Sequence, residues 1–134
     1  MSFEFINPES LGSPCGYSNG VVTETGNRLL FIAGQIGWNE QQKIVSADLV
    51  EQFDRALANL ISVVDQAGGS SDTIARLVIY VTDKNDYKNR MSEIGVRYRK
   101  HMQKHFPAMT LVEVKSLLDD EAKVEIDGIA VLNS

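Results

Sequence analysis

Cys15 is the single cysteine of the sequence, which excludes an internal disulfide and any zinc site built on several thiolates. Proline occurs only three times, and no repeat, low-complexity tract or Pro/Ser linker divides the chain. No apolar run approaches the roughly 18 residues of a membrane-spanning helix. Positive charge is also scarce: 13 basic against 18 acidic residues leave a net charge of −5. A chain-wide field for nucleic acid is therefore absent, and RNA or DNA binding would need a local patch. No G-x-G-x-x-G follows a strand, and there is no P-loop and no G-x-S-x-G elbow. The opening MSFEFINPES carries two acids and no Lys or Arg, unlike a secretory signal, so the expected location is the cytoplasm.

What is present reads as one ordinary globular domain over residues 1–134, with 43% hydrophobic and 23% charged residues. Residues 1–16, with Pro8, Gly12, Pro14 and Gly16, read as an irregular lead-in. Tyr17–Thr23 and Arg28–Ala33 are β-prone runs joined by Glu24-Thr25-Gly26-Asn27, a hairpin signal. Leu49, Phe53, Ala56, Leu60, Val63 and Ala67 share the period of one helix face, which predicts a helix over Asp48–Ala67. Ser46 suits its N-cap and Gly68 its C-terminal stop. Ala75–Thr82 is a buried strand by its β-branched content. Tyr87, Met91, Ile94, Tyr98 and Met102 predict a second helix over Asp86–His105, ended by Pro107. Met109–Lys115 and Ala122–Leu132 complete a β-β-α-β-α-β-β order.

That order predicts an α+β fold with one mixed sheet and both helices on one face. Both faces of Arg76–Thr82 and Val124–Leu132 are substantially apolar, yet two helices cover only one of them. The second face should be buried by another subunit.

Several groups could carry chemistry, each beside a plainer alternative. Glu125 and Asp127 lie two apart on a strand, so both face one way, roughly 6.6 Å apart. Paired carboxylates can divide acid and base roles, or they form a polar strip on an exposed strand. Glu125 sits among Val124, Ile126 and Ile129, surroundings that can raise a carboxyl pKa and let it hold a proton for transfer. Gly34 and Gly37 end a strand, either to let a ligand approach the backbone or simply to make a turn. Tyr17 precedes a strand, as a core or rim residue or as a ligand-facing hydroxyl. His101 and His105 stand four apart in a basic run, as metal ligands, an RNA patch or a solvated helix end. Cys15 is an inert thiol unless it meets one of those histidines.

The runs Gly16-Tyr17-Ser18-Asn19-Gly20-Val21, Phe31-Ile32-Ala33-Gly34-Gln35-Ile36, Pro107-Ala108-Met109-Thr110-Leu111-Val112-Glu113-Val114 and Lys123-Val124-Glu125-Ile126-Asp127-Gly128-Ile129-Ala130 together resemble the RidA/YjgF family, also called the L-PSP endoribonuclease family. The similarity covers about residues 12–132. It implies a chorismate-mutase-like α+β fold and a homotrimer whose sheets form an inner barrel, with clefts between subunits. It also implies hydrolysis of reactive enamines and imines, such as 2-iminopropanoate, to the 2-oxo acid and ammonia without metal or organic cofactor.

In the active branch an arginine after the Pro-Ala pair clamps the substrate carboxylate, and a glutamate on the last strand handles the water. Tyr17, Gly34, Gln35 and Glu125 match that pattern. Met109 stands at the arginine position, Ala33 at a serine, Leu111 at a cysteine and Met91 at an asparagine. The expectation is a cleft for a larger or more apolar small molecule, lined by Met91, Met109 and Leu111. Glu125 would be the catalytic group, and imine hydrolysis would require the carboxylate to be held by another group or left in solvent. A non-catalytic binding or chaperone-like trimer is the alternative, and RNA cleavage is disfavoured by the −5 charge.

Overall fold

The computed structural model describes residues 3–133. Its central sheet holds β3 (Arg28–Ile36), β4 (Ile74–Val81), β5 (Ala108–Glu113) and β6 (Val124–Leu132), in the order β3-β6-β4-β5. β6 runs antiparallel to both of its neighbours, whereas β4 and β5 are parallel, so the sheet is mixed as expected. A separate two-stranded ribbon pairs β1 (Glu4–Ile6) with β2 (Gly20–Val22).

That ribbon corrects two expectations. The lead-in is not wholly irregular, and β2 pairs with β1 rather than forming a hairpin with β3. The chain does turn at Gly26, whose φ of 88° suits glycine, and the Asn27 amide donates to the Glu24 carbonyl. The turn redirects the chain without closing a ladder. Phe3 and Phe5, whose alternation with Glu4 was the missed strand signal, pack their rings about 6 Å from that of His105.

Helix α1 (Leu49–Gln66) forms where the 3.6 period placed it, but Asp48 is its cap, accepting from the Glu51 amide, while Ser46 accepts from Asp48. The second helix is two: α2 (Lys84–Asn89) and α3 (Met91–Met102). Arg90 breaks them with φ −121° and ψ 23°, and its guanidinium is held by Asp48 and Glu93. α3 stops at Gln103, whose φ is 55°, four residues before the expected proline stop.

Phe53, Leu57 and Leu60 of α1 and Ile94, Tyr98 and Met102 of α3 pack on Leu77, Ile79, Ile126 and Ala130 of the sheet. Fully burying each such large side chain stabilises by about 1.5–3 kcal/mol. On the other face Leu29 and Phe31 stand 55% and 70% exposed, with Val78, Tyr80 and Ile129 half-buried beside them. No helix of the described residues is long and apolar enough to cross a membrane.

The basic run of α3 is not a freely solvated helix end. Arg97, Lys100 and His101 converge on the Asp54 carboxylate of α1, at 2.8, 3.0 and 2.5 Å, and Arg97 also reaches Glu51. Burial pushes the Asp54 carboxyl up, but hydrogen bonds from the three basic groups outweigh it and hold the pKa at about 2. A depressed carboxyl pKa stabilises the fold above its unfolded value of 3.8, and that contribution is lost as the pH falls toward 2. Asp54→Asn should therefore cost about 1–2 kcal/mol at pH 7 and little near pH 2. Urea unfolding of both proteins across that range checks this, and a pH-independent difference would contradict it.

Candidate functional site

The sheet sorts the expected site residues by face. In β5 and β4, Met109 pairs with Leu77 and Leu111 with Ile79, both of which are buried toward the helices. Met109 and Leu111 thus open onto a cavity of about 430 Å³ between the sheet edge and α2/α3. Met91, at the start of α3, and Tyr17 line the same cavity. Tyr17 is brought there because Ser18 is pinned to the sheet edge. The Ser18 hydroxyl donates to the Phe106 carbonyl at 2.6 Å, and its amide donates to the Pro107 carbonyl.

The cavity walls are mainly aromatic and aliphatic. Tyr98 stacks on Phe106 with ring centroids 5.5 Å apart, and its hydroxyl donates to the His105 carbonyl at 2.7 Å. Burial pushes the phenols of Tyr87 and Tyr98 up, so both remain neutral at ordinary pH. Cys15 also lines the cavity, but neither histidine does. His101 is bound to Asp54, and His105 lies past the end of α3 with Nε2 2.6 Å from the Ile74 carbonyl. The i, i+4 histidine pair does not converge, since the two rings bond different partners.

Glu125 stands on the opposite, open face. It pairs with Tyr80 across β4 and with Ile36 across β3, while its neighbour Ile126 is buried toward the helices. The β3–β6 register slips between Ile32 and Gln35, which leaves Ala33 and Gly34 in a bulge beside Asp127. The Glu125 side chain fills the space over Gly34: a Cβ there would lie 2.5 Å from Glu125 Oε2. Glu125 and Asp127 share this face as their spacing required, and the Tyr80 hydroxyl donates to Asp127 Oδ2 at 3.0 Å. That bond to a carboxylate is the main reason the Tyr80 phenol is raised. Gln35 belongs to neither group. Its amide donates to the Ala33 carbonyl, and it borders a shallow depression with Trp38, Asn39 and Arg55.

One chain thus divides the expected site residues into two groups: Tyr17, Met91, Met109 and Leu111 on the helix side, and Ala33, Gly34 and Glu125 on the open side. Sequence reasoning missed Tyr87, Lys88, Gly95, Tyr98, Phe106 and Arg99 as cavity residues. The helical spacing of Tyr87, Met91, Ile94 and Tyr98 was legible, but it reads equally as core.

The order of motifs and the fold agree with the comparisons. The family model described as Endoribonuclease L-PSP matches residues 8–132. The chain belongs to that family. Within the RidA/YjgF group that it represents, a RutC family protein of Pyrococcus abyssi is 33% identical over 132 residues, 97% of this chain and 98% of that protein. A 2-iminobutanoate/2-iminopropanoate deaminase of Escherichia coli is 33% identical over 118 residues, 86% of each chain. Among solved structures, the Rid family protein YyfB of Yersinia pestis superposes with a TM-score of 0.87 at 32% identity, covering 98% of this chain and all of that one. Escherichia coli TdcF with bound serine gives 0.69 at 30% identity, covering 90% and 91%.

The Gly34 contact yields a test. The three atoms nearest a Cβ at Gly34 all belong to the flexible Glu125 side chain, so in Gly34→Ala the fold should survive with a thermal midpoint within a few degrees of native, while any Glu125-dependent turnover falls at least about tenfold. In Gly128→Ala the new Cβ would lie 2.5 Å from the Arg76 carbonyl oxygen, so here the midpoint itself should drop. Equal midpoints for the two variants would contradict this packing.

Proposed function

We propose that this protein is an imine- or enamine-hydrolysing member of its family, working in clefts between the subunits of a homotrimer. The supporting observation is the division of the site: Glu125 and the cavity lie on opposite faces of one sheet. Exposed Leu29 and Phe31, beside the strand that carries Glu125, offer the apolar surface that a second chain would bury. Around a ring, the Glu125 face of one subunit would then close on the cavity side of the next.

In that cleft Glu125 positions a water and accepts a proton from it as the oxygen bonds to the imine carbon. Returning that proton to nitrogen gives the carbinolamine, and Glu125 then carries the hydroxyl proton to the same nitrogen as the C–N bond breaks, so that ammonia leaves and a carbonyl remains. No electrons are exchanged, and the reaction requires no redox or organic cofactor. The deaminase relative supports this chemistry, but Met109 cannot clamp a carboxylate as the expected arginine would. 2-Iminopropanoate, which offers little beyond its carboxylate to hold, is therefore a poor substrate here.

The same replacement favours a second reading, a trimer that binds a small molecule without turning it over. RNA cleavage has less support, because Arg97, Lys100 and His101 are already engaged by Asp54.

Imines generated in situ by an amino-acid oxidase and trapped by semicarbazide measure the reaction. Glu125→Gln, which keeps the side chain's shape, should lower turnover at least about 100-fold. Met109→Arg should raise activity toward 2-iminopropanoate relative to imines with large apolar side chains. Unchanged turnover in Glu125→Gln would remove Glu125 from the reaction. Silence of the native protein with activity in Met109→Arg would favour binding without turnover.

A further inference from the structure

The cavity carries charge of one sign. Among the described residues, Lys88 and Arg99 are its only ionised lining groups, and no Asp or Glu lines it. Among the described residues neither cation is paired with a carboxylate, in contrast to Arg90, Arg97 and Lys100 on the same helical segment. The Arg99 guanidinium lies back along α3 toward Gly95, where a Cβ would stand 3.0 Å from Nη1. Glycine inside a helix costs about 1 kcal/mol relative to alanine. Here it leaves room for the guanidinium beside the cavity. Behind these cations the walls are apolar: the stacked Tyr98–Phe106 pair, Ile94, Met91 and Met109.

The geometry points to Arg99, assisted by Lys88, as the carboxylate clamp of this cavity, in place of the strand arginine that Met109 replaces. The ligand class that fits is a 2-imino or 2-oxo acid with a large apolar side chain, its carboxylate at the cations and its body against Tyr98, Phe106 and Met109. This deepens the function proposed above and rests on that reading for the reaction, though not for the binding. A cavity of about 430 Å³ lies in the range that holds ligands well beyond a three-carbon acid, which would leave most of it unfilled. Guanidinium pairs with carboxylate through two parallel hydrogen bonds, so an exposed Arg99 can still orient the acid end.

Calorimetry with phenylpyruvate, the hydrolysis product of such an imine, tests this against pyruvate, which lacks the apolar body, and phenylacetone, which lacks the carboxylate. Phenylpyruvate should bind at least about tenfold more tightly than either, and the advantage over phenylacetone should shrink with added salt. Arg99→Gln should remove that advantage and leave phenylacetone unchanged, and Arg99→Lys should restore part of it. Pyruvate binding as tightly as phenylpyruvate, no binding of phenylpyruvate, or Arg99→Gln binding it like the native protein would each overturn the inference. Arg99-dependent binding without hydrolysis of any imine would support the clamp and overturn the proposed reaction. Imine hydrolysis with phenylpyruvate binding insensitive to Arg99 would do the reverse.

Discussion

Alternation along a β-strand is the constraint on which the rest of this molecule depends. Successive side chains turn to opposite faces, and the pairing of β6 with β4 fixes which residues go where. Ile126 and Ala130 enter the core under α1, which commits Glu125 and Asp127 to the uncovered face. The parallel pairing of β4 with β5 places Met109 and Leu111 on the helix side by the same rule. A one-residue slip would bury the carboxylates and expose the core, so this division is enforced by the whole hydrophobic term of folding. The consequence is that one chain keeps Glu125 and the cavity on opposite faces of a single sheet.

Electrostatics then decides which cations are free for function. Asp54, nearly buried on α1, gathers Arg97, Lys100 and His101, while Asp48 and Glu93 take Arg90. These pairs tie the segment after β4 to the first helix and engage Arg90, Arg97 and Lys100 among its cations. Arg99 and Lys88 fall on the side that faces the cavity, away from those acids. A run that looks uniformly basic in sequence is thus divided by helical phase into structural and available charges.

Much of this division is legible in the amino-acid sequence. The period of Leu49, Phe53, Ala56 and Leu60 places α1, and the strand content of residues 75–82 and 122–132 places the sheet. The family resemblance carries the mixed α+β fold, and it picks out residues on both faces. What escapes the sequence is set by tertiary partners. At the break Arg90 reaches Asp48, 42 residues away, a partner that the local sequence does not announce. The β1–β2 ribbon competes with a hairpin whose turn residues are present, so turn chemistry alone chooses the wrong partner for β2. The role of Arg99 hides inside a charge run, and only the open position at Gly95 sets it apart.

The claim that each cleft is shared between subunits is most directly tested by mixing two defective proteins. One parent carries Glu125→Gln, which disables the open face, and the other carries Leu111→Trp, which fills the cavity. After joint unfolding and refolding at equal amounts, random assembly into a ring should return about a quarter of native imine turnover, because that share of clefts draws its two halves from intact sides. Turnover no higher than the average of the two parents would show that both halves act within one chain, and it would contradict the account.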